Sequence, residues 1–248
     1  MESILLGTIG GLSSGGATCL GTLLFLIPTW RGKKIDHLIS IEFALGMMLA
    51  ASVFSLLLPS LSETWTGTDL GHFAGALVSI LLGVLFISHL GKILSDFTSF
   101  KGDSQRPVLF IVAMMLHNLP EGVAPGAALA GMSLDQSLPI IGAIALQNLP
   151  EGFTTALAFR ALGASTGVAA LGSFASGGVE LIGGVIGGSL VGMVDGVLPY
   201  LLGFAGGAMI TVSIRETWEQ LSIPQNRKRA FVQLLAGAFL ILLFSAFT

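Results

Sequence analysis

The chain has 248 residues, of which 53% are hydrophobic and only 10% charged, with a formal net charge of −3 and a mean hydropathy of +0.88. A soluble domain carries about 25% charged residues, so this composition excludes one and leaves room for many apolar spans of about 20 residues. The single cysteine, Cys19, excludes an internal disulfide and a thiolate cluster.

The N-terminal stretch lacks a basic segment and a clear cleavage site, so the first span is expected to direct insertion itself. Apolar runs broken by short polar or Gly/Pro-rich segments predict eight helices, at roughly 4–29, 37–61, 71–95, 107–131, 137–159, 167–193, 198–220 and 229–247. The segments Leu134–Pro139 and Arg160–Gly167 read as turns. The expected fold is an all-α integral membrane protein of eight transmembrane helices. Residues 1–248 form one transmembrane domain. All 11 basic residues fall at or in the odd-numbered connections: Arg31, Lys33, Lys34, Lys92, Lys101, Arg106, Arg160, Arg215, Arg227, Lys228 and Arg229. The even connections carry Glu63, Asp69, Asp135 and Asp195 instead. The positive-inside rule then puts the odd loops in the cytoplasm and both termini outside. The connections are too short for a catalytic or nucleic-acid-binding domain, so function must lie within the bundle.

In chain order, span 2 brings Met48 and Ser55 onto one face, with Asp36, His37 and Glu42 near its cytoplasmic start. A lone methionine is ordinarily packing filler, and Ser55 alone carries no stronger signal. Span 3 begins with His72, read as interfacial, and has His89 near its cytoplasmic end.

Spans 4 and 5 carry the most informative feature. His117-Asn118-Leu119-Pro120-Glu121-Gly122 recurs as Gln147-Asn148-Leu149-Pro150-Glu151-Gly152. Ionisable side chains inside a membrane span are functional-site hypotheses by default. At about 100° per residue, His117, Asn118 and Glu121 share an arc of about 100°. Gln147, Asn148 and Glu151 do the same. Positions i and i+4 bring His117 and Glu121 within about 6 Å at Cβ. Imidazole, amide oxygen and carboxylate suit divalent cations of borderline hardness. Pro120 and Pro150 precede each glutamate and are expected to kink and partly unwind the helices. Consecutive spans run antiparallel, so the two copies form a local inverted pair able to share ions between Glu121 and Glu151. Without a cation, two close carboxylates repel.

Span 6 adds a third buried acid, Glu180, and small-xxx-small spacing at Gly183/Gly187 and Gly184/Gly188, which lets helices approach closely in lipid. Span 7 ends with Arg215, Glu216 and Glu219. These read first as a solvated helix end, and Glu216 is the best candidate in this group for lining an exit path.

With these residues, the chain resembles the ZIP (Zrt/Irt-like) family of divalent-metal transporters, most of all its prokaryotic GufA-type branch. The resemblance covers essentially the whole chain and rests on the eight spans and on HN-x-PEG in span 4. It implies a binuclear site between spans 4 and 5. One position would use His117, Glu121, Gln147 and Glu151, with Met48 nearby. The other would use Asn118, Glu121, Asn148, Glu151 and Glu180. Ser55 would lie beside the pathway. The sequence departs from the family in three places. Gln147 stands where many members have His, and an amide ligates more weakly and without charge. The connection between spans 3 and 4 lacks the frequent His run. Arg215 stands where many relatives carry His or Asp.

The expected function is uptake of Zn²⁺, with Cd²⁺, iron or manganese as further cations, into the cytoplasm across the cell (inner) membrane by a multi-pass protein, which is not an enzyme. The substrate is the metal ion itself, the surroundings are a lipid bilayer, a homodimer is compatible with the Gly-rich bundle, and no nucleic acid is involved. The alternative is an intramembrane metal-dependent hydrolase. That reading needs an open coordination position and a general base, yet HExxH is absent and one histidine lies in the core.

Overall fold

The computed structural model describes residues 1–30, 40–64, 70–101, 106–222 and 227–248, and of these all side chains but those at 28–30, 91, 93–101 and 106–116. The basic residues Arg31, Lys33 and Lys34, with Asp36, His37, Asp69 and Asp103, lie outside the described residues.

Among the described residues the chain forms eight long helices: α1 (Glu2–Trp30), α2 (Ile41–Thr64), α3 (Leu70–Lys101), α4 (Arg106–Gly131), α5 (Leu134–Ala161), α6 (Thr166–Met193), α7 (Leu198–Leu221) and α8 (Arg227–Phe247). Six are long and apolar enough to cross a membrane: α1, α2, α3, α6, α7 and α8. The two outside that set, α4 and α5, are 26 and 28 residues long and carry the hexapeptide copies. The polar motif of α5 lowers its hydropathy, and each of the six other helices packs against α4, α5 or both. The outward faces of α3 and α8 are apolar, with Leu81, Leu82, Leu85, Phe231, Val232 and Phe239 exposed. That distribution suits lipid outside and a polar centre, the reverse of a soluble bundle.

Two groups of helices make up the bundle. α1 packs on α6, α5 and α4, and α6 packs on α4. α2 packs on α8 and α7, and α3 packs on α7. The contact of α4 with α7 and of α5 with α2 joins the groups. The first group is held by close backbone approach. A Cβ at Gly183 would collide with the Leu119 carbonyl of α4, and one at Gly184 with Gly7 and Gly11 of α1. The small-xxx-small spacing of α6 therefore serves two interfaces, one with each neighbour.

The sequence reading is corrected in two places. Leu134–Pro139 is not a turn but the start of α5. The Gln136 side-chain oxygen accepts from Ser133 N–H at 3.4 Å and from Ser133 Oγ at 2.9 Å, which secures the helix start. The helix continues through Pro139. The expected unwinding at Pro120 and Pro150 is also absent, since α4 and α5 continue as α-helix through both prolines. The turn after α5 is as expected. Gly163, at φ 88°, donates to the Arg160 carbonyl, and Ala164 donates to the Phe159 carbonyl.

α2 departs from regular geometry in its middle, where Ala51–Leu57 forms a π-helical segment. Such segments occur often at functional positions. Ser55 lies inside this one, and its buried Oγ has no partner.

The glycines that end the hexapeptide copies are both close-approach positions. A Cβ at Gly122 would collide with the Glu180 carbonyl of α6, and one at Gly152 with the Thr18 carbonyl of α1. Gly122→Ala and Gly152→Ala should therefore each destabilise the bundle by about 1–3 kcal/mol through overpacking. The check is the apparent melting temperature of the purified protein in detergent. Unchanged melting in both variants would contradict the close approach.

Candidate functional site

The i and i+4 spacing within each copy places His117 and Glu121 on one face of α4, and Gln147 and Glu151 on one face of α5. The structure brings these faces together. His117, Glu121 and Glu151 each offer one ligand atom, and these atoms lie within 4.8 Å of one another. His117 Nε2 is 3.5 Å from Glu151 Oε1. All three residues are buried, with Glu121 at 0% exposure and Glu151 at 4%.

The hydrogen-bond inventory here is one-sided. His117 Nε2, Asn118 Oδ1, both Glu121 oxygens, Gln147 Oε1 and both Glu151 oxygens are buried with no hydrogen-bond partner. Six of these seven atoms are oxygens able only to accept while the glutamates are ionised. Leaving a buried acceptor unpaired costs about 1–3 kcal/mol, and more for a charged group. Among the described residues no lysine or arginine is buried. No described side chain donates a hydrogen bond to these oxygens. A divalent cation matches the donor set of imidazole, carboxylates and amide oxygens.

Glu180 sits beside this cluster in a different state. Its Oε1 accepts from Thr18 Oγ1 at 2.5 Å and from Asn118 Nδ2 at 3.1 Å. Its Oε2 accepts from Ser14 Oγ and from Asn148 Nδ2. Asn148 Nδ2 also donates to Ser14 Oγ at 2.9 Å, and Gln147 Nε2 donates to Asn148 Oδ1 at 3.2 Å. Ser14 and Thr18 belong to this polar cluster by their hydrogen bonds to Glu180, and the sequence reading did not single them out. Their i, i+4 spacing puts them on one face of α1, but that signal is common to any helix with two hydroxyls.

Of the other expected residues, Met48 is buried at 3% exposure and packs with Leu45, Ile87, Ala208 and Val212. It also lines a cavity of about 210 Å³ that reaches His117, Glu151, Thr154, Thr155 and Glu216. Met48 and Glu216 thus share one space with the cluster. Glu219 lines it too and faces Arg215 Nε at 3.6 Å, both exposed. Ser55 is buried further along α2 and does not line that cavity. His89 and His72 are exposed.

A second cavity of about 790 Å³, lined by Glu63, His72, Gly131, Asp195 and Leu198 among others, lies at the opposite end of the bundle. An apolar cluster separates it from the glutamates. Leu56 of α2, Ala124 and Ala128 of α4, Ile140 and Ile144 of α5, and Leu202, Ala205 and Met209 of α7 form that cluster. Along α4 and α5 these residues stand on the side of the motifs nearer the α4–α5 connection. The polar centre therefore opens toward Glu216 and is closed toward Glu63.

Comparison with known proteins shows the family. The family model described as ZIP Zinc transporter matches residues 95–245. The zinc transporter GufA of Myxococcus xanthus is 32% identical over 234 residues, covering 91% of this chain and 90% of that protein. The zinc transporter ZIPB of Bordetella bronchiseptica is 37% identical over 249 residues, covering 94% of this chain and 78% of that protein. The human zinc transporter ZIP11 is 34% identical over 321 residues, covering 92% of this chain and 93% of that protein. With its helical membrane architecture and its paired polar motifs, the chain belongs to the ZIP family, in its prokaryotic GufA-like branch.

Proposed function

We propose that this protein carries divalent metal cations, with zinc as substrate, across the cell membrane into the cytoplasm. The observation that carries the reading is the set of buried, unpaired acceptors on His117, Glu121, Gln147 and Glu151. The ZIP family is one of transporters, and the hydrolase alternative is not favoured. In this reading all eight helices span the membrane as a single domain, with both termini outside. The confinement of basic residues to odd connections supports that orientation.

Two metal positions share Glu121 and Glu151. One adds His117 and Gln147 and has Met48 nearby, and the other adds Asn118, Asn148 and Glu180. The cavity lined by Glu216 is then the cytoplasmic exit, and Ser55 stands beside the route from outside. The apolar cluster around Ile144 and Met209 keeps the outer end shut in this conformation. Transport requires that cluster to part while the inner cavity closes. A cation in such a dry centre interacts strongly with its ligands, so shared bridging glutamates help it to leave by passing it from one set to the next.

Gln147 sets the selectivity. A neutral amide oxygen is a harder and weaker ligand than imidazole, which weakens the preference for Zn²⁺ over harder ions such as Fe²⁺ and Mn²⁺. Gln147→His should raise the preference for Zn²⁺ over Mn²⁺ by on the order of tenfold, measured as competitive uptake into proteoliposomes. An unchanged ratio would remove Gln147 from the selecting set.

The transport reading is tested with purified protein in proteoliposomes supplied with Zn²⁺, Cd²⁺, Fe²⁺ or Mn²⁺, with and without a pH gradient. Uptake of at least Zn²⁺ is expected, falling by on the order of 100-fold in Glu121→Ala/Glu151→Ala. Uptake should also fall on acidification, because the ligands must shed protons to bind metal. Undiminished flux in the double variant would overturn the mechanism.

A further inference from the structure

The hydroxyls of Ser14 and Thr18 behave unlike most others in this bundle. Thr8, Thr22, Ser52, Ser88, Ser189, Thr211 and Ser213 each donate to the carbonyl four residues earlier in their own helix. That is the usual way a helix satisfies a hydroxyl in an apolar setting. Ser14 and Thr18, at 1% and 0% exposure, instead give their protons to Glu180 of α6.

With the amides of Asn118 and Asn148, these two hydroxyls fill Glu180. Each of its oxygens accepts two hydrogen bonds, and an ionised carboxylate offers about four lone-pair sites in all. None remains for a cation. Asn148 Oδ1 is likewise taken by Gln147 Nε2. Of the five residues of the second metal position, only Asn118, Glu121 and Glu151 present unpaired oxygens. Close backbone approach holds the two helices at this level: a Cβ at Gly15 of α1 would collide with the Gly177 carbonyl of α6, and one at Gly184 of α6 with Gly11 of α1.

We propose that Ser14 and Thr18 are positioning residues of the metal site: by occupying Glu180, they keep the second metal position closed in this conformation and limit resting occupancy to one divalent cation. The inference rests on the transport reading above, since it presupposes a cation at Glu121 and Glu151. Filling the second position requires Glu180 to exchange its four donors for the ion. That exchange removes the polar tie of Ser14 and Thr18 to Glu180, while the close approach of Gly11 to Gly184 and the Thr22–Ser173 hydroxyl pair still join α1 to α6.

The test measures Cd²⁺ binding to the full chain in detergent by calorimetry, with bound metal counted by elemental analysis. Wild type should bind one Cd²⁺ tightly and a second at least about tenfold more weakly. Ser14→Ala/Thr18→Val leaves Glu180 short of two donors and should tighten the second event by about tenfold or more. Thr18→Ser restores the hydroxyl and should keep the wild-type second affinity, which a purely steric role for Thr18 would not predict. Two wild-type events of similar affinity would overturn the proposal, as would a double variant whose second event matches wild type. If the double variant fails to fold, the wild-type stoichiometry and Thr18→Ser still decide. Absence of any Cd²⁺ binding by wild type would overturn the transport reading as well. One tight event with an unresponsive second event would overturn only the role of Ser14 and Thr18.

Discussion

Three buried carboxylates, with no buried lysine or arginine among the described side chains, are the constraint on which this structure depends. Glu121, Glu151 and Glu180 lie at 0–4% exposure in the centre of an apolar bundle. Isolated carboxylates in such surroundings are among the costliest groups a fold can contain. The protein meets the cost in two ways within a few ångströms. Glu180 is satisfied internally by two hydroxyls and two amides. Glu121 and Glu151 are left with every oxygen unpaired. The difference divides one polar core into a part whose carboxylate is satisfied by neighbouring helices and a part whose carboxylate oxygens accept no hydrogen bond from a described side chain.

Other features of the fold follow from that division. The motif-bearing helices α4 and α5 carry the polar centre, and each of the six other helices packs against one or both of them. Close approach at Gly122 and Gly152 brings α6 and α1 near enough for short side chains such as Ser14 to reach Glu180. A Leu or Val at either glycine would push the partner helix out of that reach. The apolar cluster on one side of the site and the cavity on the other give the centre access from a single direction. Single-sided access is what a carrier requires in each of its resting states.

Much of this was legible in the sequence, for identifiable reasons. Hydropathy and turn residues located the helices to within a few residues, because lipid-facing segments must be continuously apolar. The repeated hexapeptide marked His117, Glu121, Gln147 and Glu151, because polar groups at helical spacing in apolar sequence have few other uses. Three things were hidden. The helical start at Leu134 was hidden because Leu134–Pro139 reads as a turn, and the Ser133–Gln136 cap that secures it shows only in the fold. The persistence of helix through Pro120 and Pro150 depends on packing that sequence does not display. The role of Ser14 and Thr18 was invisible because a hydroxyl in a membrane helix usually bonds its own backbone, and only the position of α6 shows that these two do not. Met48 was ambiguous for a sound reason: its side chain both packs with Leu45 and Val212 and lines the cavity beside His117.

The central claim is that a divalent cation supplies the missing partner for the unpaired oxygens of Glu121 and Glu151. Anomalous diffraction at the zinc absorption edge, from crystals of the full chain grown with Zn²⁺, tests it most directly. The account predicts a peak at about 2.0–2.2 Å from His117 Nε2 and from carboxylate oxygens of Glu121 and Glu151. A zinc-loaded crystal with no peak among these three residues, or with zinc only at exposed acids such as Glu63 and Asp195, would contradict it.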